Sequence, residues 1–131
     1  MAEPDGGTAR VTALCLTAGA LAVRLLWPDF TLAWTHSVQK TEWQEDYAVA
    51  PDALKLKRAR VRGSGAGMEP GPDAKLVDGW YVWTPGRDVA DLILARSGAV
   101  EEYRLCHDGQ CRSLNALIGG APDAVKMAPC G

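Results

Sequence analysis

The chain has only two histidines, His36 and His107, and each stands beside residues that could put it to use. His36 is followed by Ser37, and Thr41 and Glu45 come shortly after it. An imidazole held by a carboxylate can act as a general base, a ligand anchor or a pH-responsive switch. His107 sits between Cys106 and an Asp108-Gly109 dipeptide, with Gln110 and Cys111 following. There the chemistry on offer is disulfide formation.

Strand parity decides which of these groups can meet. From Phe30 the chain alternates, with Phe30, Leu32, Trp34, His36 and Val38 on one face and Thr31, Ala33, Thr35 and Ser37 on the other. A second run places Trp43, Glu45, Tyr47 and Val49 together. If Gln39-Lys40-Thr41-Glu42 is a four-residue hairpin loop, Val38 faces Trp43 and His36 faces Glu45. Trp34 then faces Tyr47, and Leu32 faces Val49. A carboxylate and an imidazole would meet on an aromatic face. Such a pair can be purely structural, satisfying both groups and fixing register. It can equally be a site, with Glu45 orienting His36. Ser37 points to the other face, so a Ser37–His36 dyad would need a break in the strand, which argues against a hydrolase.

Asp-Gly is a strong two-residue turn signal. It sets His107 opposite Gln110 and Cys106 opposite Cys111, in the close type of cross-strand pair that a disulfide needs. Cys15 and Cys130 remain, and elimination joins them across the two ends of the domain, with unpaired thiols as the alternative. Two disulfides imply an oxidising compartment. There is no CxxC, so the pattern does not point to zinc, and no metal or cofactor is expected.

The elements that must position these residues are short. Strands are expected at 11–16, 20–26, 30–38, 43–49, 54–62, 76–84, 89–96, 100–106, around 111–113 and at 124–127. One helix is expected at 113–118, started by Ser113 and stopped by Gly119. The fold class is therefore all-β, a small antiparallel sandwich or barrel of about 8–10 short strands with at most one short helix. Residues 1–10 read as a loose tail and 11–131 as a single domain. The apolar stretch at 11–23 follows Glu3 and Asp5 and is too short to span a bilayer, so it reads as two strands of a mature chain or one without its export signal. The Gly/Pro-rich stretch at 63–72 is a connection. Its glycines could offer backbone N–H groups to an anion, but the Gly-Lys-Ser/Thr ending of a phosphate loop is missing. A net charge of −2 and the lack of any binding motif speak against nucleic acid. The cations in Lys55-Leu56-Lys57-Arg58-Ala59-Arg60 mostly share a solvent face.

His36-Ser37-Val38 with Thr41 and Glu45, then Gly65-Ala66-Gly67, then Asp78-Gly79-Trp80, resembles the bacterial domain-of-unknown-function family eighteen-fifty. The resemblance runs from about Cys15 to the C-terminus. It implies a small exported protein, often encoded beside TAXI-type TRAP transporters, and it singles out His36, Ser37, Thr41, Glu45, Gly65 and Gly67. It supplies context rather than a reaction.

The function expected is a non-enzymatic periplasmic accessory or binding protein of such an uptake system. Its partner would be the transporter's membrane subunit or its solute-binding protein, with a small-molecule ligand unidentified. His36 and Glu45, with Trp34 and Tyr47, would line the surface near Gly65 and Gly67. One alternative is a small enzyme with His36 as general base oriented by Glu45, and a second is an assembly module in which that pair is only structural.

Overall fold

Alternating apolar and polar residues become strands along most of the chain. The computed structural model describes residues 12–35, 41–62, 71–96, 102–119 and 124–131. The expected tail at 1–10 lies outside them. In chain order the elements are β1 (Ala13–Ala18), β2 (Leu21–Leu25), β3 (Asp29–Thr35), β4 (Glu42–Val49), β5 (Leu54–Arg62) and β6 (Lys75–Val77). They continue with β7 (Trp80–Trp83), β8 (Arg87–Val89), β9 (Leu92–Leu94), β10 (Arg104–His107), β11 (Gln110–Ser113), α1 (Leu114–Ile118) and β12 (Val125–Cys130).

The strands form two antiparallel sheets. The smaller runs β2-β1-β12-β9, and the larger runs β11-β10-β3-β4-β5-β7-β6, with β8 also paired to β5. Leu14, Leu16, Val125 and Met127 of the small sheet share one core with Phe30, Leu32, Tyr47, Val49, Leu54, Leu56 and Leu105 of the large one. Of the two architectures expected, this is the open sandwich and not the closed barrel. Each fully buried Leu in that core is worth roughly 1.5–3 kcal/mol of hydrophobic transfer.

Two of the expected strands each prove to be two, which brings the described strands to twelve. The run at 76–84 is broken by Asp78-Gly79, both at positive φ (51° and 86°), into the β6–β7 hairpin. The same dipeptide chemistry at Asp108-Gly109 was legible; at Asp78-Gly79 the flanking apolar residues concealed it. The run at 89–96 is where the chain leaves the large sheet, since β8 pairs β5 while β9 pairs β12. The first turn also moves, to Gly19-Ala20, because Ala18 pairs with Leu21.

β5 carries a bulge. Asp46 pairs with Arg58 and Tyr47 with Leu56, leaving Lys57 as the extra residue. The bulge switches parity, so Leu54 and Leu56 before it and Ala59 and Val61 after it are all buried. The cationic run therefore keeps to the other face despite its imperfect alternation.

The short helix follows the expected capping. Ser113 Oγ accepts the Ala116 N–H at 3.0 Å, and Gly119 ends the helix at φ 98°. Five residues are too few for a stable isolated helix, so burial of Leu114 and Ile118 holds it.

Both expected disulfides are present, Cys106–Cys111 and Cys15–Cys130. Cys106 and Cys111 face each other across the hairpin with Cα atoms 3.9 Å apart. Cys15 and Cys130 lie diagonally across β1 and β12, 115 residues apart in sequence. This pairing is compatible with an exported protein. The two bridges should differ in worth. Removing Cys15–Cys130 by paired Ala substitutions should cost about 4–5 kcal/mol, because it opens a loop nearly the length of the chain. Removing Cys106–Cys111 should cost about 2 kcal/mol or less, its loop being already closed by the Asp-Gly turn. Urea denaturation of the two double variants measures the difference.

Candidate functional site

The site sequence suggests is built on β3 and β4, and their register departs from the expectation. Glu45 pairs with Leu32, Trp34 with Trp43, Phe30 with Tyr47, and Thr35 with Glu42, the last pair among the described residues. Glu45 therefore does not face His36 across a four-residue loop. The displacement is four residues, an even number, so each side chain stays on its expected face while every partner changes. Aromatic pairing explains why this register wins. The rings of Phe30 and Tyr47 stack at 5.2 Å and 15°, and those of Trp34 and Trp43 at 6.0 Å and 9°. Each such pair contributes about 0.5–1.5 kcal/mol beyond its buried area. On the other face Thr31 donates to Asp46 at 2.6 Å, a bond the expected register would forgo.

His36, Ser37, Gly65 and Gly67 lie outside the described residues. Of the remaining candidates, Trp34, Glu45 and Tyr47 share the inner face of the large sheet, and Thr41 precedes β4. Tyr47 donates its hydroxyl to Glu45 Oε1 at 2.8 Å. The residues around Glu45 come from several elements. Tyr103, just before β10, has its ring 5.8 Å from Trp34, and Trp83 of β7 meets Trp43 edge-on at 5.7 Å. A Cβ on Gly71 would lie 2.6 Å from Trp83 Cδ1, so the backbone there needs glycine to reach the indole. Trp43 and Trp83 stand outside the core cluster that the small sheet covers. Together they form an aromatic surface with one carboxylate in it.

The electrostatics follow from that setting. Burial raises the Glu45 carboxyl above its ordinary 4.5, only partly offset by the Tyr47 hydroxyl and the Arg87 charge. Burial and the neighbouring Glu45 raise the Tyr47 phenol strongly, and they raise Tyr103 in the same way. Trp43 Nε1 is buried with no hydrogen-bond partner. A half-buried carboxyl and an orphaned indole N–H on one face are groups a bound molecule would satisfy. Arg87, Tyr103 and Trp83 are the contributors sequence reasoning missed. They come from segments far from β4 in the chain, and only the Asp78-Gly79 turn hinted that Trp83 would fold back.

The opposite face of the same strands is saturated. Asp46 accepts from Thr31, from Arg58 at 3.0 Å and from Arg60 at 2.8 Å. Gln44 accepts from Arg60 and donates to Glu42, which also meets Arg104 at 3.4 Å. Burial alone would raise the Asp46 carboxyl, but the hydrogen bonds from Arg60, Thr31 and Arg58 outweigh it and lower it. This ladder is structural in character.

The two carboxylates should respond oppositely to pH. Between 4.5 and its raised native value, Glu45 holds a proton in the folded chain that the unfolded chain has lost. Its contribution is complete below 4.5 and is lost as pH rises through the native value, so Glu45→Gln should gain on the native protein towards neutral pH. Asp46 contributes above its ordinary 3.8 and loses that contribution on acidification. Asp46→Asn should cost on the order of 1–2 kcal/mol at neutral pH and progressively less below pH 4. Denaturant unfolding across the pH range reads both.

Searches of curated proteins and of solved structures give no match. A family model described as Domain of unknown function (DUF1850) matches residues 30–114, well over half of the chain. That span runs from β3 to the start of α1 and contains Glu45 and its aromatic neighbours. The chain belongs to the DUF1850 family.

Proposed function

We propose that this chain is a non-enzymatic periplasmic accessory protein of a TAXI-type TRAP uptake system, binding a ligand or partner on the aromatic surface around Glu45. The observation that carries the binding reading is Trp43 Nε1, a buried donor left unbonded beside Trp34 and Trp83 and on the same strand face as Glu45. Leaving such a donor unpaired costs about 1–3 kcal/mol, which a ligand acceptor would restore. Broad aromatic area with few polar groups suits recognition, because it supplies contact surface with little loss of side-chain freedom. Support for the compartment comes from the two disulfides, while the transporter association rests on what the family resemblance of the sequence implies.

The enzyme alternative asks Glu45 to orient His36. The β3–β4 register gives Glu45 the partner Leu32 instead, so that reading loses its main geometric support. A specific observation does favour the assembly alternative. Leu76 and Val77 on edge strand β6, and Ile93 on edge strand β9, are 64%, 52% and 61% exposed.

The test is affinity purification of the chain from its own host. The transporter's membrane subunit or its solute-binding protein should co-purify, and Glu45→Ala should lose that partner while the melting transition persists. Uptake that stays intact after gene deletion, with no transporter component recovered, would remove the proposal. Self-association abolished by Leu76→Lys would then establish the assembly reading.

A further inference from the structure

β2 and β11 are edge strands of the two sheets, α1 packs against both, and a cavity of about 360 Å³ lies where they meet. Leu25 and Trp27 form one wall, and Leu117 of α1 lies at its end. The β10–β11 hairpin supplies the rest of the lining and meets the first wall where His107 touches Trp27. Pairing of His107 with Gln110, and of Leu105 with Arg112, sets His107, Gln110 and Arg112 on the face that lines the cavity. Cys106 and Cys111 point to the other face, where their disulfide staples the wall from behind.

Each polar group here is held or left available in a way that suits a ligand. The His107 ring stacks on Trp27 at 4.9 Å and 18°. Its Nδ1 lies 2.9 Å from the Asp29 carbonyl oxygen, which can only accept, so Nδ1 carries the proton. The Asp29 carboxylate stands 3.4 Å from the same nitrogen. The Arg112 guanidinium, by contrast, has no ion pair or hydrogen bond with a described residue, and only its backbone is engaged, in the ladder with Leu105. An uncommitted guanidinium therefore lines a cavity of small-molecule size together with aromatic and aliphatic side chains. Asp108, at the turn, adds a single carboxylate to the lining.

We propose that this cavity is a second binding site, for a small organic carboxylate with an apolar body. The carboxylate sits on the Arg112 guanidinium with the Gln110 amide beside it, and the body lies along Leu25, Trp27 and Leu117. Arg offers a planar fork that matches a carboxylate, and the apolar lining side chains take the body of the ligand. An ammonium on the ligand, as in an amino acid, would face Asp108. The site shares no residue with the aromatic surface around Glu45, so it stands or falls independently.

NMR titration of the full-length, disulfide-intact protein tests it, with 3-phenylpropionate and phenylalanine as probes and their amides as controls. Shifts should gather on the Trp27 indole N–H, assigned with a Trp27→Phe variant, and on the Gln110 side-chain amide. The amides should bind at least about tenfold more weakly, as should Arg112→Gln with either carboxylate, since each removes one charge-assisted contact. Arg112 is exposed, so the variant should keep the native spectrum elsewhere. Binding of either carboxylate with that Arg112 dependence supports the site. The proposal is overturned if neither carboxylate shifts these signals at millimolar concentration, if the amides bind equally well, or if Arg112→Gln leaves affinity unchanged.

Discussion

The two stacked aromatic pairs across β3 and β4, Phe30 with Tyr47 and Trp34 with Trp43, set the register on which the larger sheet depends. A strand pair has two faces, and a register survives only when both are satisfied. Here the inner face gains ring stacking, while the outer face gains the bond from Thr31 to Asp46. Asp46 in turn gathers Arg58 and Arg60 from β5, so the third strand is aligned by the same pairing. The bulge at Lys57 completes the arrangement, because it lets β5 bury apolar residues on both sides of the break.

Unequal sheets then divide the inner face of the larger one. Phe30, Leu32, Tyr47, Val49, Leu54 and Leu56 join the shared core with the small sheet. Trp43 and Trp83 stand outside that core, and Glu45, on the same strand face as Trp43, accepts from the Tyr47 phenol and acts electrostatically on that of Tyr103. A carboxyl on such a surface costs desolvation, which is why its proton is held more tightly than usual. One strand, β4, thus presents a saturated charge ladder on one face and an unsaturated aromatic face on the other. That asymmetry is the physical basis for reading the inner face as the side that binds.

The disulfides serve different ends of this architecture. Cys15–Cys130 joins β1 to β12 in the middle of the small sheet and restrains almost the whole chain when unfolded. Cys106–Cys111 encloses four residues and works locally. It makes the β10–β11 hairpin a rigid wall, and that wall carries His107, Gln110 and Arg112 at the cavity. Rigid placement of a few polar groups matters more to recognition than to global stability.

Much of this was readable in the residues because it depends on local or near-local chemistry. Alternation identified the strands and the faces of β3 and β4, and Asp108-Gly109 fixed the hairpin that pairs Cys106 with Cys111. Ser113 and Gly119 bounded the helix through capping, which needs only neighbours in sequence. Even the four-residue register error preserved the faces, since side-chain direction has period two while partner choice does not. Tertiary structure alone decided which aromatic rings stack, because cross-strand partners compete over energies of about a kilocalorie per mole that loop length cannot rank. It alone placed β8 and β9 in different sheets, brought Arg87 and Tyr103 to Glu45, and formed the cavity beside Arg112. Those contacts join residues distant in sequence, and only packing of the two sheets brings them together.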